Sequence, residues 1–277
     1  ATSFSPDGKL LAAMTPAAND KLFITDFERQ ITTRLTSTPG NDNRPIWSPD
    51  GTQIAYENDL DGSSDLFLIS ADGSDHARKI LTSPEDEYLD TFSPDGTRIL
   101  FTRIHADGRY ELCSIASDGS GEPEILFPSD LSTGEAAISH DGRWIAYAVG
   151  TENRLIPNGG AGAFNESDIY ARPYGRPGRP TRISVAGGRR PQWAPDGKAI
   201  YYIDGNRMMA APVQAQGGLS VGTPYEVFAT ESDIWGLAPL SPEGDRFLLN
   251  RVNPLLRKHY GIRVVFDWAQ KMAAIQP

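Results

Sequence analysis

Apolar residues occur along this chain in short runs that are separated by turn-forming residues. One run ends in a large apolar residue, a tetrapeptide of the form Ser-Pro-Asp-Gly follows, and a second apolar run comes next. In such a tetrapeptide Pro fixes φ at the first central position, Asp bonds to nearby backbone N–H groups, and Gly adopts the positive φ that reverses the chain. The pattern predicts antiparallel hairpins whose first strands end at Phe4, Trp47, Phe92, Ile138, Trp193 and Leu240.

The tetrapeptide and its variants occur six times, and their first residues lie 43, 45, 46, 55 and 47 positions apart. A repeat of about 40 to 50 residues is the length of one four-stranded propeller blade. We therefore predict an all-β fold, a six-bladed β-propeller of four-stranded antiparallel blades. The acidic members of the tetrapeptides are interpreted as turn residues and not as catalytic groups; they are Asp7, Asp50, Asp95, Asp141, Asp196 and Glu243.

Further apolar runs predict a second and a third strand in every blade and a fourth strand in five of them. The sixth blade is expected to lack its outer strand, which residues upstream of Ala1 would supply, since ring closure protects propeller edges. The Gly-rich insertion from Thr151 to Ser167 is either a functional loop or a plain solvent-exposed one. We expect a single domain, with blades at approximately 1–38, 39–83, 84–129, 130–185, 186–230 and 231–277.

Composition excludes several classes of partner. The 277 residues carry a formal net charge of −10, which disfavours binding to nucleic acid or to anionic lipid. No apolar run reaches 18 residues, so we expect neither a membrane span nor a signal peptide within the chain. The one cysteine, Cys113, lies in an apolar run and is expected to be a buried thiol without a reactive role.

The segment from Trp47 to Tyr56, followed by Asp65 to Gly73, is the clearest copy of the repeat and resembles the TolB-like, WD-repeat-like propeller family. Asp168 to Pro173, Gly187 to Gly197 and Val264 to Trp268 are similar to bacterial propellers fused to membrane-bound Ser/Thr kinases or winged-helix regulators. Those relatives usually have Asn where this chain has Asp267. The resemblance implies a sensory or protein-binding module and favours a periplasmic or otherwise extracytoplasmic location, with the cytoplasm left open.

Three patterns suggest chemistry, and each has a better structural explanation. The segment Gly218 to Gly222 has the form Gly-x-Ser-x-Gly, but it is predicted as a hairpin loop, whereas a nucleophile elbow joins a strand to a helix. The segment Asn58 to Asp65 is rich in oxygen atoms but lacks the bidentate Glu of a calcium loop. The four histidines lack the spacing of metal ligands. We therefore assign no catalytic residue, no metal ligand and no cofactor.

A candidate site follows from propeller geometry. The first strands surround a central channel, and the connection that enters each first strand reaches the channel mouth on the face opposite the tetrapeptide turns. Counting back three positions from the large residue before each turn gives a ring of equivalent positions that includes Leu89 and Leu237. The predicted channel-mouth site, with its neighbours, is Asn43, Arg44, Tyr88, Asp90, Glu135, Arg189, Arg190, Gln192 and Trp235.

Two functions remain open at this point. Arginine binds carboxylates bidentately, so the first is a non-catalytic, monomeric scaffold that binds a protein partner or a small anionic or zwitterionic ligand at the channel mouth. The second is a saccharide or peptide lyase or hydrolase with its site in the channel, which would need a general base or a bound metal. A water-filled channel whose charges neutralise one another is the alternative to both.

Overall fold

The computed structural model describes residues 2–15, 19–128, 130–150, 167–215, 217–230, 237–244, 247–252 and 260–265. Regular secondary structure in these ranges consists of strands paired antiparallel in up-and-down order. The predicted first strands end at the large residue directly before each tetrapeptide turn, so that part of the sequence prediction is confirmed. The insertion after Gly150 lies outside the described residues, apart from its last residue, Ser167, which begins a strand.

The first three sheets each have four strands. Sheet one contains β1 (Thr2–Phe4), β2 (Leu10–Thr15), β3 (Lys21–Asp26) and β4 (Ile31–Arg34). Sheet two contains β5 (Asp42–Trp47), β6 (Gln53–Asn58), β7 (Asp65–Ser70) and β8 (Arg78–Leu81). Sheet three contains β9 (Asp86–Phe92), β10 (Arg98–Ile104), β11 (Tyr110–Ala116) and β12 (Glu124–Ile125).

The remaining sheets follow the same order with small differences. Sheet four contains β13 (Ser132–Ile138), β14 (Trp144–Gly150), β15 (Ser167–Pro173) and β16 (Thr181–Arg182). Sheet five contains β17 (Arg189–Trp193), β18 (Ala199–Asp204), β19 (Arg207–Gln214), β20 (Ser220–Val221) and β21 (Tyr225–Ala229). In the described residues sheet six contains β22 (Leu237–Leu240), β23 (Phe247–Val252) and β24 (Tyr260–Val265).

The hydrophobic core lies between neighbouring sheets. Burying a large apolar side chain stabilises a fold by about 1.5 to 3 kcal/mol, so each of these interfaces contributes strongly. The large residues before the turns fill this space, and Trp47, Phe92, Ile138 and Trp193 are all buried. The indole Nε1 of Trp47 also donates to the carbonyl of Ser3 on the preceding sheet at 3.0 Å. The sheets are therefore held together by side chains whose position the repeat fixes.

The tetrapeptide turns have the hydrogen bonds that their sequence predicts. In the first turn the hydroxyl of Ser5 donates to Asp7 Oδ1 at 2.6 Å and accepts the backbone N–H of Leu10 at 2.9 Å. The backbone N–H of Lys9 donates to the same carboxylate oxygen at 3.2 Å. These bonds lower the pKa of Asp7, the serine hydroxyl contributing most. The interpretation of Asp7 as a turn residue is confirmed.

Candidate functional site

Each innermost strand from β5 onward contains a one-residue bulge at the position where the sequence predicts the channel-mouth ring. An extra residue in one strand bends that strand and redirects a side chain. In sheet two, for example, Asn43 is opposite Glu57 and Ile46 is opposite Ala55, so three steps on β5 match two on β6. The other bulges lie between Leu89 and Thr91, Gly134 and Ala137, Arg189 and Gln192, and Leu237 and Leu240.

Three of the ring residues have left-handed backbone conformations. The φ angles of Arg44, Glu135 and Arg190 are 44°, 51° and 51°. This conformation costs a residue with a Cβ atom roughly 1 to 2 kcal/mol, and residues strained in this way cluster at ligand clamps and active sites. Leu89, at the equivalent position of sheet three, is buried and is not among the residues with positive φ. The bulge therefore presents charged side chains in sheets two, four and five.

Hydrogen bonds connect the bulges from one sheet to the next. Glu57 Oε1 accepts the backbone N–H of Leu89 at 2.7 Å, and Thr102 Oγ1 accepts that of Glu135 at 3.0 Å. Glu135 Oε2 in turn accepts the backbone N–H of Arg190 at 2.8 Å. The bulges of sheets three, four and five are thus each fixed by a side chain from the preceding sheet, which holds the strained backbone of Glu135 and Arg190 in place.

Each of the two guanidinium groups of the ring is paired with an acid through its Nε atom. Arg44 Nε lies 3.4 Å from Glu57 Oε1, and its guanidinium is stacked 4.5 Å from the centre of the Tyr88 ring. Arg190 Nε lies 3.5 Å from Glu135 Oε1. Within the described ranges neither guanidinium donates a hydrogen bond to a protein acceptor, and the two side chains are 23% and 20% exposed. The Nη atoms of both are therefore available to an added acceptor.

The acids beside these guanidinium groups are unusually hard to ionise. Burial raises the pKa of Glu57 to about 7, although Arg44 partly opposes the change. Burial also raises the pKa of Asp90 to about 7. The hydrogen bond that Thr102 Oγ1 donates to Asp90 Oδ2 at 2.8 Å acts in the opposite direction and lowers this pKa. For Arg190, burial lowers the pKa to about 10, and Arg44 acts in the same direction. The ring is thus a coupled set of charges that share one poorly solvated space.

The structure groups most of the predicted site residues. Arg44, Tyr88, Asp90, Glu135 and Arg190 interact electrostatically with one another. Three further members lie beside them: Asn43 is exposed and its Oδ1 accepts the backbone N–H of Arg44, Arg189 is buried, and Gln192 is half-buried on β17. Trp235 lies outside the described residues.

Sequence reasoning missed two members, Glu57 and Thr102. Both come directly after a buried apolar run on a second strand, near the end of that strand. Strand register places them opposite Asn43 and Tyr88, so pairing the second strands with the first would have identified both.

Other sequence candidates have structural roles. Ser220 belongs to the short strand β20 and not to the loop that was predicted, and that strand is not followed by a helix. The segment Asn58 to Asp65 is a hairpin in which Asp65 is buried and paired with Lys79 at 2.8 Å. His105 lies between two glutamates: its Nδ1 is 2.8 Å from Glu85 Oε1, and its Nε2 is 3.2 Å from Glu111 Oε2. In the described part of the chain, no group of three or more His, Cys, Asp and Glu is arranged to hold a metal ion.

Among the described residues, no helix has the length and apolar character needed to cross a membrane.

Comparison with known proteins identifies the repeat. Residues 1–158 match the family model described as the TolB beta propeller domain, PD40. "Uncharacterized peptidase YuxL" of Bacillus subtilis is 29% identical over 148 residues, which are 53% of this chain and 21% of that protein. "Uncharacterized protein Atu1656" of Agrobacterium fabrum is 29% identical over 107 residues, which are 38% of this chain and 36% of that protein. The matches therefore span about a fifth and about a third of those relatives.

Among solved structures, TolB from Acinetobacter baumannii has a TM-score of 0.68 at 20% identity, over 94% of this chain and 62% of that one. This likeness shows the fold, an all-β propeller of four-stranded antiparallel blades. Because the family model covers more than half of the sequence, the chain belongs to the PD40 family of TolB beta propeller domains.

Proposed function

We propose that this propeller is a non-catalytic sensory or interaction module that binds a carboxylate at the channel mouth. The carboxylate belongs to a protein partner, for example at a peptide end, or to a small anionic or zwitterionic ligand. The observation that carries the proposal is the pair of guanidinium groups, Arg44 and Arg190, that stand on strained backbone with their Nη atoms directed to no protein acceptor in the described residues. Guanidinium binds carboxylate through two parallel hydrogen bonds, so each group offers a matching fork.

We also propose that the sheet of β22, β23 and β24 is a sixth blade that lacks its outer strand. In support, β22 contacts β17 on one side and β1 on the other. A Cβ atom added at Gly8 would lie 2.8 Å from Glu243 Oε1, so the first and sixth tetrapeptide turns are neighbours. Six blades would close the wall of the channel and place Arg44 and Arg190 on that wall.

We further propose that the propeller works on the periplasmic side within a larger bacterial protein, such as one with a kinase or winged-helix domain. The similarity of Asp168 to Pro173 and Gly187 to Gly197 to propellers of that kind supports this context.

The carboxylate proposal is tested with N-acetyl-trialanine that has a free carboxylate, compared with the same peptide as its carboxamide. Ligand-observed NMR of the alanine methyl signals detects binding in the millimolar range. The peptide therefore needs no side chains adapted to the site, because weak binding through its carboxylate is sufficient. We expect binding of the free acid only. R44K/R190K keeps both charges but loses the bidentate fork, and we expect it to bind at least about fivefold more weakly, since a bidentate charged hydrogen bond contributes roughly 1 to 3 kcal/mol.

The matched control is R29A/R143A, which removes two exposed arginines outside the ring. It should bind as the unchanged protein does. Equal binding of acid and carboxamide, or unchanged affinity in R44K/R190K, would exclude the channel mouth as a carboxylate site. Cleavage of the peptide in these samples would instead support a hydrolase, with Glu57 and Asp90 as the acid and base because their pKa values are about 7.

A further inference from the structure

The channel-mouth ring carries three acids and three arginines. Charged and titratable groups face it from five strands: Arg44 on β5, Glu57 on β6, Tyr88 and Asp90 on β9, Glu135 on β13, and Arg189 and Arg190 on β17. Glu135 is committed to Arg190, whose backbone N–H and guanidinium it contacts. Glu57 and Asp90 therefore decide whether the space between Arg44 and Arg190 favours an anion.

The net charge around Arg44 and Arg190 changes with these two acids. With Arg44, Arg189 and Arg190 charged and Glu57, Asp90 and Glu135 all ionised, the six groups sum to zero. With Glu57 and Asp90 both protonated they sum to two positive charges. Since opposite charges attract strongly in a poorly solvated site, an added carboxylate binds more tightly to the protonated form.

Hydrogen bonding allows both acids to stay neutral without rearrangement. Glu57 accepts from the backbone N–H of Leu89 through Oε1, and Asp90 accepts from Thr102 through Oδ2. Asp90 also accepts a hydrogen bond from the backbone N–H of Ala136. A protonated carboxyl group keeps acceptor capacity beside its O–H, so each acid can hold a proton and retain these bonds. Burial, which raises the pKa of both acids to about 7, is consistent with this arrangement.

We propose that a carboxylate bound between Arg44 and Arg190 is taken up together with a proton held by Asp90 and Glu57, so that the site binds its ligand at acidic pH and releases it as the pH rises. The inference rests on the proposed carboxylate site and adds its regulation. By linkage, one proton taken up with each ligand makes the affinity fall by up to about tenfold per pH unit.

The experiment measures the affinity of N-acetyl-trialanine at pH 6.0, 7.0, 8.0 and 8.5 by the same NMR method, and proton uptake by pH-stat titration of the protein with the peptide. The charge of the peptide is constant over this range, because its carboxyl group has a pKa of about 3.5. We expect binding about three- to tenfold weaker at pH 8.0 than at pH 7.0, with net proton uptake. E57Q/D90N, in which neutral amides replace the acids, should bind equally at every pH and take up no proton.

The control is E28Q, which removes a carboxylate on the outer hairpin of sheet one and should keep the pH dependence. If E57Q/D90N fails to fold, D90N alone should halve the proton uptake of the original protein or abolish it. Binding of equal strength at all pH values overturns the coupling and leaves the carboxylate site intact. Binding that strengthens with pH overturns it as well. Absence of binding at every pH overturns the carboxylate site itself.

Discussion

At the residue scale, the ring of bulged positions combines backbone strain with charged side chains. Glycine adopts positive φ at no steric cost, yet the positions of Arg44, Glu135 and Arg190 are occupied by long charged residues. Each side chain is also engaged: Glu135 binds the next bulge, and the two arginines pair with acids. The left-handed conformation directs these groups, so the strain is part of how the site is built.

Substitution at Arg190 separates the strain from the side chain. Both R190G and R190A remove the guanidinium, but only alanine retains a Cβ atom at φ 51°. We expect R190G to be more stable than R190A by about 1 kcal/mol, measured as the free energy of unfolding in urea.

The same pair of substitutions on a regular strand should give the opposite sign. Thr33 lies on the exposed strand β4, where glycine gains nothing from its conformational freedom. There T33G should be less stable than T33A by about 0.5 to 1 kcal/mol. If R190G were less stable than R190A, the left-handed conformation would carry no strain at that position.

At the scale of elements, the proline of one tetrapeptide turn lies beside the glycine of the next. A Cβ atom added at Gly51 would lie 3.5 Å from Pro6, and one added at Gly96 would lie 3.7 Å from Pro49. The glycine of one turn therefore faces the proline of the preceding turn. The fourth turn has His140 in place of proline, and no heavy atom lies within 4 Å of a Cβ atom added at Gly197 in the turn that follows.

H140P should fill this gap. Proline has a φ of about −65°, which suits the first central position of the turn, and the side chain of His140 is exposed. No backbone hydrogen bond from the N–H of His140 is found in the described residues. We expect a gain of about 0.5 to 1 kcal/mol in the free energy of unfolding, because proline restricts the unfolded chain, with a correspondingly higher Tm.

P49H tests the reverse change in a turn that has its proline. It should lower the free energy of unfolding by a similar amount, because it removes the proline that restricts the unfolded chain. A loss of stability in H140P would show that the fourth turn has a different conformation from the others.

The repeated elements were accessible to sequence reasoning because each repeat contains its own turn signal. Ser-Pro-Asp-Gly fixed the ends of the innermost strands, and counting back from Trp47, Ile138 and Trp193 identified Arg44, Glu135 and Arg190. Glu57 and Thr102 were missed because their role depends on pairing between strands, which no local pattern encodes. The raised pKa values of Glu57 and Asp90 could not be predicted from the sequence either, because they arise from burial among side chains of several sheets.

At the scale of the whole molecule, the acids of the tetrapeptide turns and the acids beside the ring arginines behave in opposite ways. Hydrogen bonds from serine hydroxyls and backbone N–H groups lower the pKa values of the turn acids Asp7, Asp50 and Asp95. At the channel mouth, burial raises those of Glu57 and Asp90. Lowered pKa values contribute stability that is lost as the pH falls through them, whereas raised values contribute stability that is lost as the pH rises through them. The folded chain should thus be most stable in mildly acidic solution.

The pH profile of stability tests this arrangement of charges. Between about pH 4.5 and 7 the folded chain keeps protons on Glu57 and Asp90 that the unfolded chain has released, so the free energy of unfolding must fall as the pH rises through this window. We expect a decline of about 2 kcal/mol or more between pH 5 and 8 in urea unfolding experiments. E57Q/D90N should lose most of this decline because its amides mimic the protonated acids, while E28Q should retain it. An unchanged decline in E57Q/D90N would show that the acids whose protonation stabilises the fold lie elsewhere, and it would contradict the raised pKa values of Glu57 and Asp90.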